Sequence, residues 1–253
     1  TLRNASVNVE AMLDNDIVGS PKAQDGHVDP FTIRLFAQGP PPTENASVAR
    51  TRLIIGGEND SPARELARFT SEVAMNKATG MNVAIIYRLD RFLRGGDHRS
   101  FLEAGYPAIR FTEPNEDFRH QHQDVLVDNT TGVQYGDLPE FVDFEYTARV
   151  GAVNLATLWS LANAPGLPRG VSVNTTLLDN NTQLFWLPSV EPEVRGYEIL
   201  WRPTNAPLWT HSIDVGMTDS FTVPLNKDNV IFGVRAVGVN GYKSPAVYPF
   251  PGT

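Results

Sequence analysis

The sequence changes its pattern at residues 164–168, Ala-Pro-Gly-Leu-Pro, and this change constrains the fold more than any other feature. Before it, strand-like runs alternate with helix-like runs. After it, short alternating runs are separated by turn residues at the spacing typical of a β-sandwich. The sequence therefore predicts two domains, an α/β domain over residues 1–165 and an all-β domain over residues 166–253.

Strand and helix patterns take turns in the first domain. Alternating or continuous apolar runs predict strands at residues 7–14, 31–37, 82–89 and 106–111. Helices are predicted from Ser61-Pro62 onward, at residues 98–104 and at residues 137–162. This order predicts a largely parallel sheet with helices against it.

The longest predicted helix begins with Asp137 and Glu140 at capping-box spacing. Its helical periodicity predicts one buried apolar face, formed by Phe141, Phe144, Ala148, Leu155, Leu158 and Ala162. Pro165 ends the helical pattern.

The second domain contains short runs that predict strands at residues 171–177, 183–186, 196–202, 210–215, 220–223 and 230–239. Three of its segments, TQLFWLPS, GYEILWRP and VIFGVRAVGVNGYKSPA, resemble strands of a fibronectin type III domain. The resemblance implies a sandwich core built on Trp186, Tyr197 and the apolar side of residues 231–239.

Composition excludes several classes of function. The net charge of −8 and the lack of a Lys/Arg cluster argue against a nucleic-acid partner. No apolar run approaches the length of a membrane span, and the absence of cysteine excludes disulfides and thiolate metal sites. The sequence begins at Thr1 and shows no signal peptide, which predicts a processed or cut chain.

Six sequons for N-glycosylation occur, more than chance predicts, and they favour a secreted, extracellular or periplasmic protein. They begin at Asn4, Asn45, Asn59, Asn129, Asn174 and Asn180.

Residues 95–124 hold most of the residues that could carry chemistry, including His98, His120 and His122 among several carboxylates. An HExxH helix, a GxSxG elbow and a P-loop are all missing from the sequence. A glycosidase-like pair of carboxylates is an alternative, although the acidic residues are too numerous to choose a pair. Asp16 adds a further candidate, because it lies where a predicted strand meets its loop.

Three motifs in order resemble those of the co-catalytic zinc aminopeptidases, whose relatives include glutamate carboxypeptidase and the non-catalytic transferrin receptor. The segment DIVGS from Asp16 is similar to the family's DMIGS, and GDHRSFLEAGYPA from Gly96 is similar to SDHxxFxxAGxPA. RHQHQD, which ends at Asp124, follows the spacing of YHTxxD. The resemblance covers about residues 7–163 and implies the C-terminal part of a phosphorylase/hydrolase-like catalytic domain.

The resemblance implies that Asp16 is the carboxylate ligand of one zinc ion and His120 the imidazole ligand of a second. Two such metals, about 3.5–4 Å apart, would activate a bridging water for peptide hydrolysis. His122 is the rival ligand to His120. Asp97 and His98 match motif positions that are not metal ligands, so orientation of the site or helix capping is expected of them. Asp124 is expected to fix the loop that presents His120.

Two departures limit what this chain can do alone. Arg119 stands where the family often has tyrosine, a residue that would help hold the oxyanion. The family's remaining ligands and its general-base glutamate would precede the Asp16 strand, and the first fifteen residues contain none of them. The chain alone is therefore expected to be inactive, with a missing N-terminal half or a second copy as its partner. The alternative is a non-catalytic structural, adhesive or self-assembling extracellular glycoprotein.

Overall fold

A computed structural model of the chain describes residues 2 and 4–252. Its contacts divide the chain into two compact units. One, here called the cleft unit, contains the residues up to Ala37 together with Thr70–Ala156. The other, the sandwich unit, contains Gln38–Phe69 and the residues from Thr157 onward. The predicted domain boundary between residues 165 and 166 stays a prediction.

The described residues form the following helices and strands, in chain order. They are β1 (Met12–Asn15), β2 (Thr32–Phe36), α1 (Ala46–Ile54), α2 (Pro62–Ala74), β3 (Asn82–Ile86), α3 (His98–Glu103), β4 (Ala108–Thr112), β5 (Leu126–Val127), β6 (Gln134–Tyr135) and α4 (Phe144–Asn163). Then follow β7 (Arg169–Asn174), β8 (Thr182–Leu187), β9 (Val194–Pro203), β10 (His211–Gly216), β11 (Ser220–Val223), β12 (Val230–Gly238) and β13 (Phe250–Gly252). None of these helices is long and apolar enough to cross a membrane.

The cleft unit is built on a four-stranded sheet in the order β1-β4-β2-β3. The β1–β4 and β2–β3 pairings are parallel, whereas β2–β4 is antiparallel. Ile33, Leu35, Ile109 and Phe111 are fully buried on its central strands. An α/β arrangement is therefore present in this unit. The predicted first strand was too long, because residues 7–11 form no ladder and β1 begins at Met12.

Helix α2 begins at Pro62 as predicted, because Ser61 Oγ accepts a hydrogen bond from the Arg64 amide at 3.2 Å. Helix α1 was missed. Its signal is the cap residue Asn45, whose side chain accepts a hydrogen bond from the Val48 amide at 3.0 Å. The helix has almost no apolar periodicity, so a pattern search passes over it.

The prediction for the long helix was wrong at its start. Asp137 and Glu140 do not cap it, because residues 139–141 form a separate 3₁₀ turn. The cap is Asp143, whose carboxylate accepts a hydrogen bond from the Tyr146 amide at 2.9 Å, and α4 begins at Phe144.

The predicted buried face of this helix was also wrong. Tyr146, Val150, Val153 and Thr157 are its buried side chains. The predicted face is solvent-exposed instead from residue 144 onward, at Phe144, Ala148, Leu155, Leu158 and Ala162. Helix α4 has two apolar stripes, and periodicity alone does not tell which of them faces the sheet.

The sandwich unit contains two sheets, β10-β9-β12 and β11-β8-β7-β13. Their inward-facing residues form one core that includes Trp186 and Tyr197, as predicted. The β-sandwich prediction is therefore confirmed. The last strand, β13, was missed, because its three residues Phe-Pro-Gly carry no strand pattern and pair in parallel with β7.

A buried ion cluster lies in the same unit and centres on Asp60. Its carboxylate accepts hydrogen bonds from Arg202 at 2.8 and 2.9 Å and from Arg68 at 3.2 Å. Glu65 pairs with Arg68 and accepts a hydrogen bond from Trp209 Nε1 at 3.0 Å. The four charged side chains are at most 3 % exposed, and each is paired within the unit.

Candidate functional site

A cleft of about 820 Å³ opens at the carboxyl end of β1. Its walls come from the segment after β1, from the loop after β4 and from the turn before α4. The lining residues are Asp16, Ile17, Gly19, Ser20, Lys22, Glu113, Asp117, Arg119, His120, Gln121, His122, Val133, Gln134, Asp137, Glu140, Phe141 and Val142. The structure thus brings Asp16, His120 and His122 to one cleft.

Asp16 is held by a buried arginine. Arg110, on β4, has no exposed side-chain surface, and its Nη2 lies 2.9 Å from Asp16 Oδ2. Asp90, also fully buried, forms a second ion pair with Arg110. The Asp16 side chain is 36 % exposed and lines the cleft, so it is accessible to a ligand there.

Gly96 permits this close arrangement. A Cβ at this position would lie 3.1 Å from Arg110 Nη1 and from the Oδ2 atoms of both Asp14 and Asp16. The glycine at the start of the GDH motif is therefore explained by the space that these side chains need.

The backbone beside Asp16 is strained. Ile17 has φ of 66°, a left-handed conformation that is a marked outlier for a β-branched residue. Its carbonyl accepts a hydrogen bond from the Glu113 amide at 2.8 Å, which helps to hold the strained turn. Strain of this kind concentrates at functional sites, and here it fixes the direction of the chain directly after Asp16.

His98 is buried, and it contacts Asp14 rather than the cleft. Its Nδ1 lies 3.1 Å from Asp14 Oδ2, its backbone amide donates to the same oxygen at 3.2 Å, and its Nε2 lies 2.9 Å from the Leu89 carbonyl. Burial alone would raise the pKa of Asp14, but the hydrogen bonds and charge of His98 outweigh it, and the pKa is lowered. His98 thereby fixes β1, the strand that ends one residue before Asp16.

His120 is a partly buried imidazole in the cleft wall. It stacks on Phe141 with ring centroids 3.6 Å apart. Its Nε2 lies 3.4 Å from Asp117 Oδ2, and its Nδ1 lies 3.3 Å from the Gly136 carbonyl. His122 is exposed and has φ of 53°. Of the two, His120 has the better fixed orientation.

Arg119, at the position of the family's tyrosine, is committed to Asp117. Its Nε donates to Asp117 Oδ1 at 2.8 Å, and its Nη2 forms a second, shorter hydrogen bond with the same carboxylate. This hydrogen bonding lowers the pKa of Asp117. The guanidinium is therefore oriented along the cleft wall and paired with a carboxylate.

Glu113 is a buried carboxyl that the motif comparison did not select. Its Oε2 accepts a hydrogen bond from the Ser20 amide at 2.8 Å, which ties the loop after β4 to the segment after Asp16. Burial raises the pKa of Glu113 to about 8, despite the hydrogen bond from Ser20.

Asp97 and Asp124 lie outside the cleft lining. Asp97 precedes α3 but makes no capping hydrogen bond with its side chain, so the capping role suggested for it is not observed. Asp124 is exposed. Of the two motif neighbours, His98 is hydrogen-bonded to Asp14 in β1, the strand that leads to Asp16.

The metal donors among the described residues do not make a complete metal site. Among residues 2 and 4–252, no three His, Asp or Glu side chains come close enough together to hold a metal ion. Asp16 and His120 are donors of the types that zinc takes, but a structural or catalytic zinc needs at least three protein ligands.

Sequence comparison relates the whole chain to fungal proteins. It is 68 % identical over 252 residues to a "Probable zinc metalloprotease" of Leptosphaeria maculans and 67 % identical over 253 residues to one of Pyrenophora teres f. teres. A third, from Pyricularia oryzae, is 61 % identical over 257 residues. The chain is covered to at least 99 % in these alignments but spans only 58 %, 52 % and 51 % of the three relatives. No protein-family model matches the chain.

Solved structures are similar to about one third of the chain. A fibronectin type III-like protein from Clostridium thermocellum aligns at 20 % identity, covering 34 % of this chain and 88 % of its own, with a TM-score of 0.28. The same type of domain from human collagen α-1(XX) aligns at 19 % identity over 36 % of this chain and 87 % of its own, with a TM-score of 0.28. The two sheets of the sandwich unit are defined by the strand pairings observed in this chain.

Sequence reasoning missed Arg110, Asp14 and Glu113. A signal existed for the first two. An arginine inside an apolar strand needs a buried partner, and Asp14 lies two residues before Asp16, on the same side of a strand. Glu113 gave no signal beyond the general excess of acidic residues in its loop.

Proposed function

We propose that the cleft unit is one wall of the active site of a zinc metallopeptidase of the aminopeptidase type, which hydrolyses peptide bonds. The observation that carries this proposal is that Asp16 and His120, the two ligands implied by the motifs, line one cleft. The names of relatives 61–68 % identical to this chain support the zinc metalloprotease class. The active site is complete only in a longer protein, as the partial coverage of those relatives suggests.

In that site each of the two residues would bind one of two zinc ions, and the metals would supply Lewis-acid activation of water. The chain's own residues would orient the ligands. Arg110 holds one oxygen of Asp16, and the strained Ile17 fixes the backbone after it. Phe141 and Asp117 hold the ring of His120. The peptide substrate would occupy the remaining cleft volume.

The localisation proposed for this protein is extracellular or periplasmic, on the basis of its six sequons. The sandwich unit, proposed to be a fibronectin type III-like module, would accompany the peptidase outside the cell. The sequons at Asn129 and Asn174 start in a loop and at a strand end respectively.

A non-catalytic extracellular glycoprotein is the second candidate. It is favoured by one specific observation, namely that the described residues contain no group of three metal donors. On this reading the cleft would keep the peptidase shape without metal, and the molecule would serve adhesion or assembly.

Zinc analysis separates the two candidates. The test protein is an extended chimera in which this chain replaces the matched 252 residues of the Leptosphaeria maculans relative. We expect about two zinc ions per molecule, with zinc lost on Asp16→Ala and on His120→Ala. His211→Ala, on exposed β10, is the control and should keep the metal. Full zinc content in both cleft variants, or no zinc in the chimera, would sink the peptidase proposal.

A further inference from the structure

The cleft unit presents an apolar helix face to solvent. Phe144 and Leu155 on α4 are 70 % and 64 % exposed, and Ala148 and Gly151 between them are also exposed. These four residues, here called the α4 face, follow the 3–4 spacing of one side of a helix. An exposed apolar stripe of this kind marks an interaction surface.

Gly151 leaves one position of the α4 face without a side chain. A Cβ built at Gly151 meets nothing within 4 Å, so packing inside this chain does not require the glycine. Glycine is less favourable than alanine in a helix interior. Its φ is not in the left-handed region, so conformation does not require it either. The remaining physical reason for glycine is the close approach of another backbone at this position.

A free strand edge lies next to this face. Strand β1 is at the end of the sheet, and no other described strand pairs with its outer edge. The amides of Met12 and Asp16 donate to the carbonyls of Pro107, just before β4, and of Phe111 in β4. By strand alternation the backbone groups of Leu13 and Asn15 therefore point to the open edge, where a further strand could pair.

The edge and the helix face are joined into one surface. The side-chain amides of Asn15 and Asn154 exchange hydrogen bonds of 3.0 and 2.9 Å. Asn154 lies directly before Leu155 in α4, so the end of β1 and the C-terminal end of the α4 face are neighbours. An occupant can therefore pair with β1 and pack on α4 at the same time.

We propose that the α4 face and the β1 edge form the docking surface for the part of the longer relatives that has no counterpart in this chain. That part is 42–49 % of the relatives' length, the complement of the covered 51–58 %. It is long enough to supply both a strand and a helix. A strand added in parallel to β1 would place its own carboxyl end beside Asp16. In this way the occupant would add to the site of the proposed function, and only this last step rests on that function.

Cysteine labelling tests the docking surface directly, because the chain contains no cysteine of its own. Leu155→Cys is made in the isolated chain and in the extended chimera. Leu178→Cys, at a position that is 97 % exposed, is the matched control, and the chimera without either change gives the background. The readout is the rate of reaction with a maleimide.

The expected result is at least about tenfold slower labelling of Leu155→Cys in the chimera than in the isolated chain, since a buried thiol is shielded from reagent. Leu178→Cys should react at the same rate in both. Gly151→Glu should not lower the melting temperature of the isolated chain, because glutamate is a better helix former than glycine, and it should restore Leu155→Cys labelling in the chimera.

Equal labelling of Leu155→Cys in the two proteins would overturn the proposal. Protection that appears in the isolated chain as its concentration rises would also overturn it, in favour of a second copy as the occupant. Zinc content is measured separately on the same chimera. A protected Leu155→Cys in a chimera without zinc would therefore keep the docking surface and reject the peptidase proposal.

Discussion

The ion cluster around Asp60 and the cleft around Asp16 both contain carboxylates and arginines, but they differ in how far these groups are satisfied. In the cluster, Asp60 pairs with both Arg68 and Arg202, and all three side chains are almost fully buried. In the cleft, Arg110 is buried while its partner Asp16 keeps an exposed face. All the charged groups of the cluster are thus buried and paired, whereas in the cleft a buried arginine holds a carboxylate that stays accessible to solvent.

The cluster also joins the helical segment before residue 70 to the strands of the sandwich unit. Arg202 lies on β9 and Arg68 on α2, and Asp60 joins the two. Tyr248 donates a hydrogen bond to the Ile55 carbonyl at 2.9 Å, which adds a second link to the segment after α1. The α1–α2 segment is therefore fastened to the β-sandwich by buried polar contacts.

Removal of the central carboxylate should give the largest effect on stability. Asp60→Ala leaves the guanidinium of Arg202 buried without its carboxylate, whereas Arg68 keeps Glu65 as a carboxylate partner. We expect a loss of about 4 kcal/mol in the free energy of unfolding, as for other broken buried ion pairs. Urea denaturation measures it.

The matched control for this change is Asp214→Ala, which removes an ion pair with Arg195 that is 43–48 % exposed. Its expected cost is below about 1 kcal/mol. Equal losses for the two variants would show that the cluster is not the structural centre described here.

Glu113 should make the stability of the cleft unit depend on pH. Its folded pKa of about 8 lies above the ordinary value of 4.5 because burial disfavours the charged form. The stability that the protonated Glu113 contributes to the folded state is therefore fully present below about pH 4.5 and is lost as the pH rises through about 8. Between pH 5 and pH 9 the loss in the free energy of unfolding should be on the order of 3–4 kcal/mol.

Comparison of unfolding free energies at pH 5 and pH 9 tests this dependence. Glu113→Gln keeps an acceptor for the Ser20 amide but cannot ionise. It should be less sensitive to this pH change than the unmodified chain. The same pH dependence in both proteins would assign the titration to another group.

The strained turn gives a smaller effect of opposite sign. Ile17→Asn places a residue that tolerates the left-handed region at φ of 66°. We expect a gain of about 1 kcal/mol in stability, since strain of this kind costs roughly 1–3 kcal/mol. Thermal unfolding measures the gain, and Ile33→Asn in buried β2 is the destabilising control. A loss for Ile17→Asn would mean that the turn is not strained.

The smallest effect is expected where the function is proposed to lie. Asp16→Ala removes a carboxylate that is 36 % exposed, and Arg110 keeps Asp90 as its buried partner. The cost should be below about 1 kcal/mol in urea denaturation. A loss as large as that of Asp60→Ala would make Asp16 a structural residue rather than an open ligand.

The sequence predicted the elements whose patterns are local. The cap at Ser61 and the alternating sandwich runs have patterns that identify them directly. It did not predict which of two apolar stripes of α4 faces the sheet, because that depends on packing with distant strands. The motifs placed Asp16 and His120 in one cleft. They did not indicate Arg110, because its role depends on an ion pair with Asp16, which is 94 residues away in the sequence.

The most direct test of the central account is the position of zinc in the extended chimera. Anomalous diffraction at the zinc edge locates the metal. We expect zinc in the cleft, with an Asp16 carboxylate oxygen and a His120 ring nitrogen each within about 2.0–2.2 Å of a metal ion. Zinc bound elsewhere, or bound in the cleft through His122 with His120 still stacked on Phe141, would contradict the assignment made here.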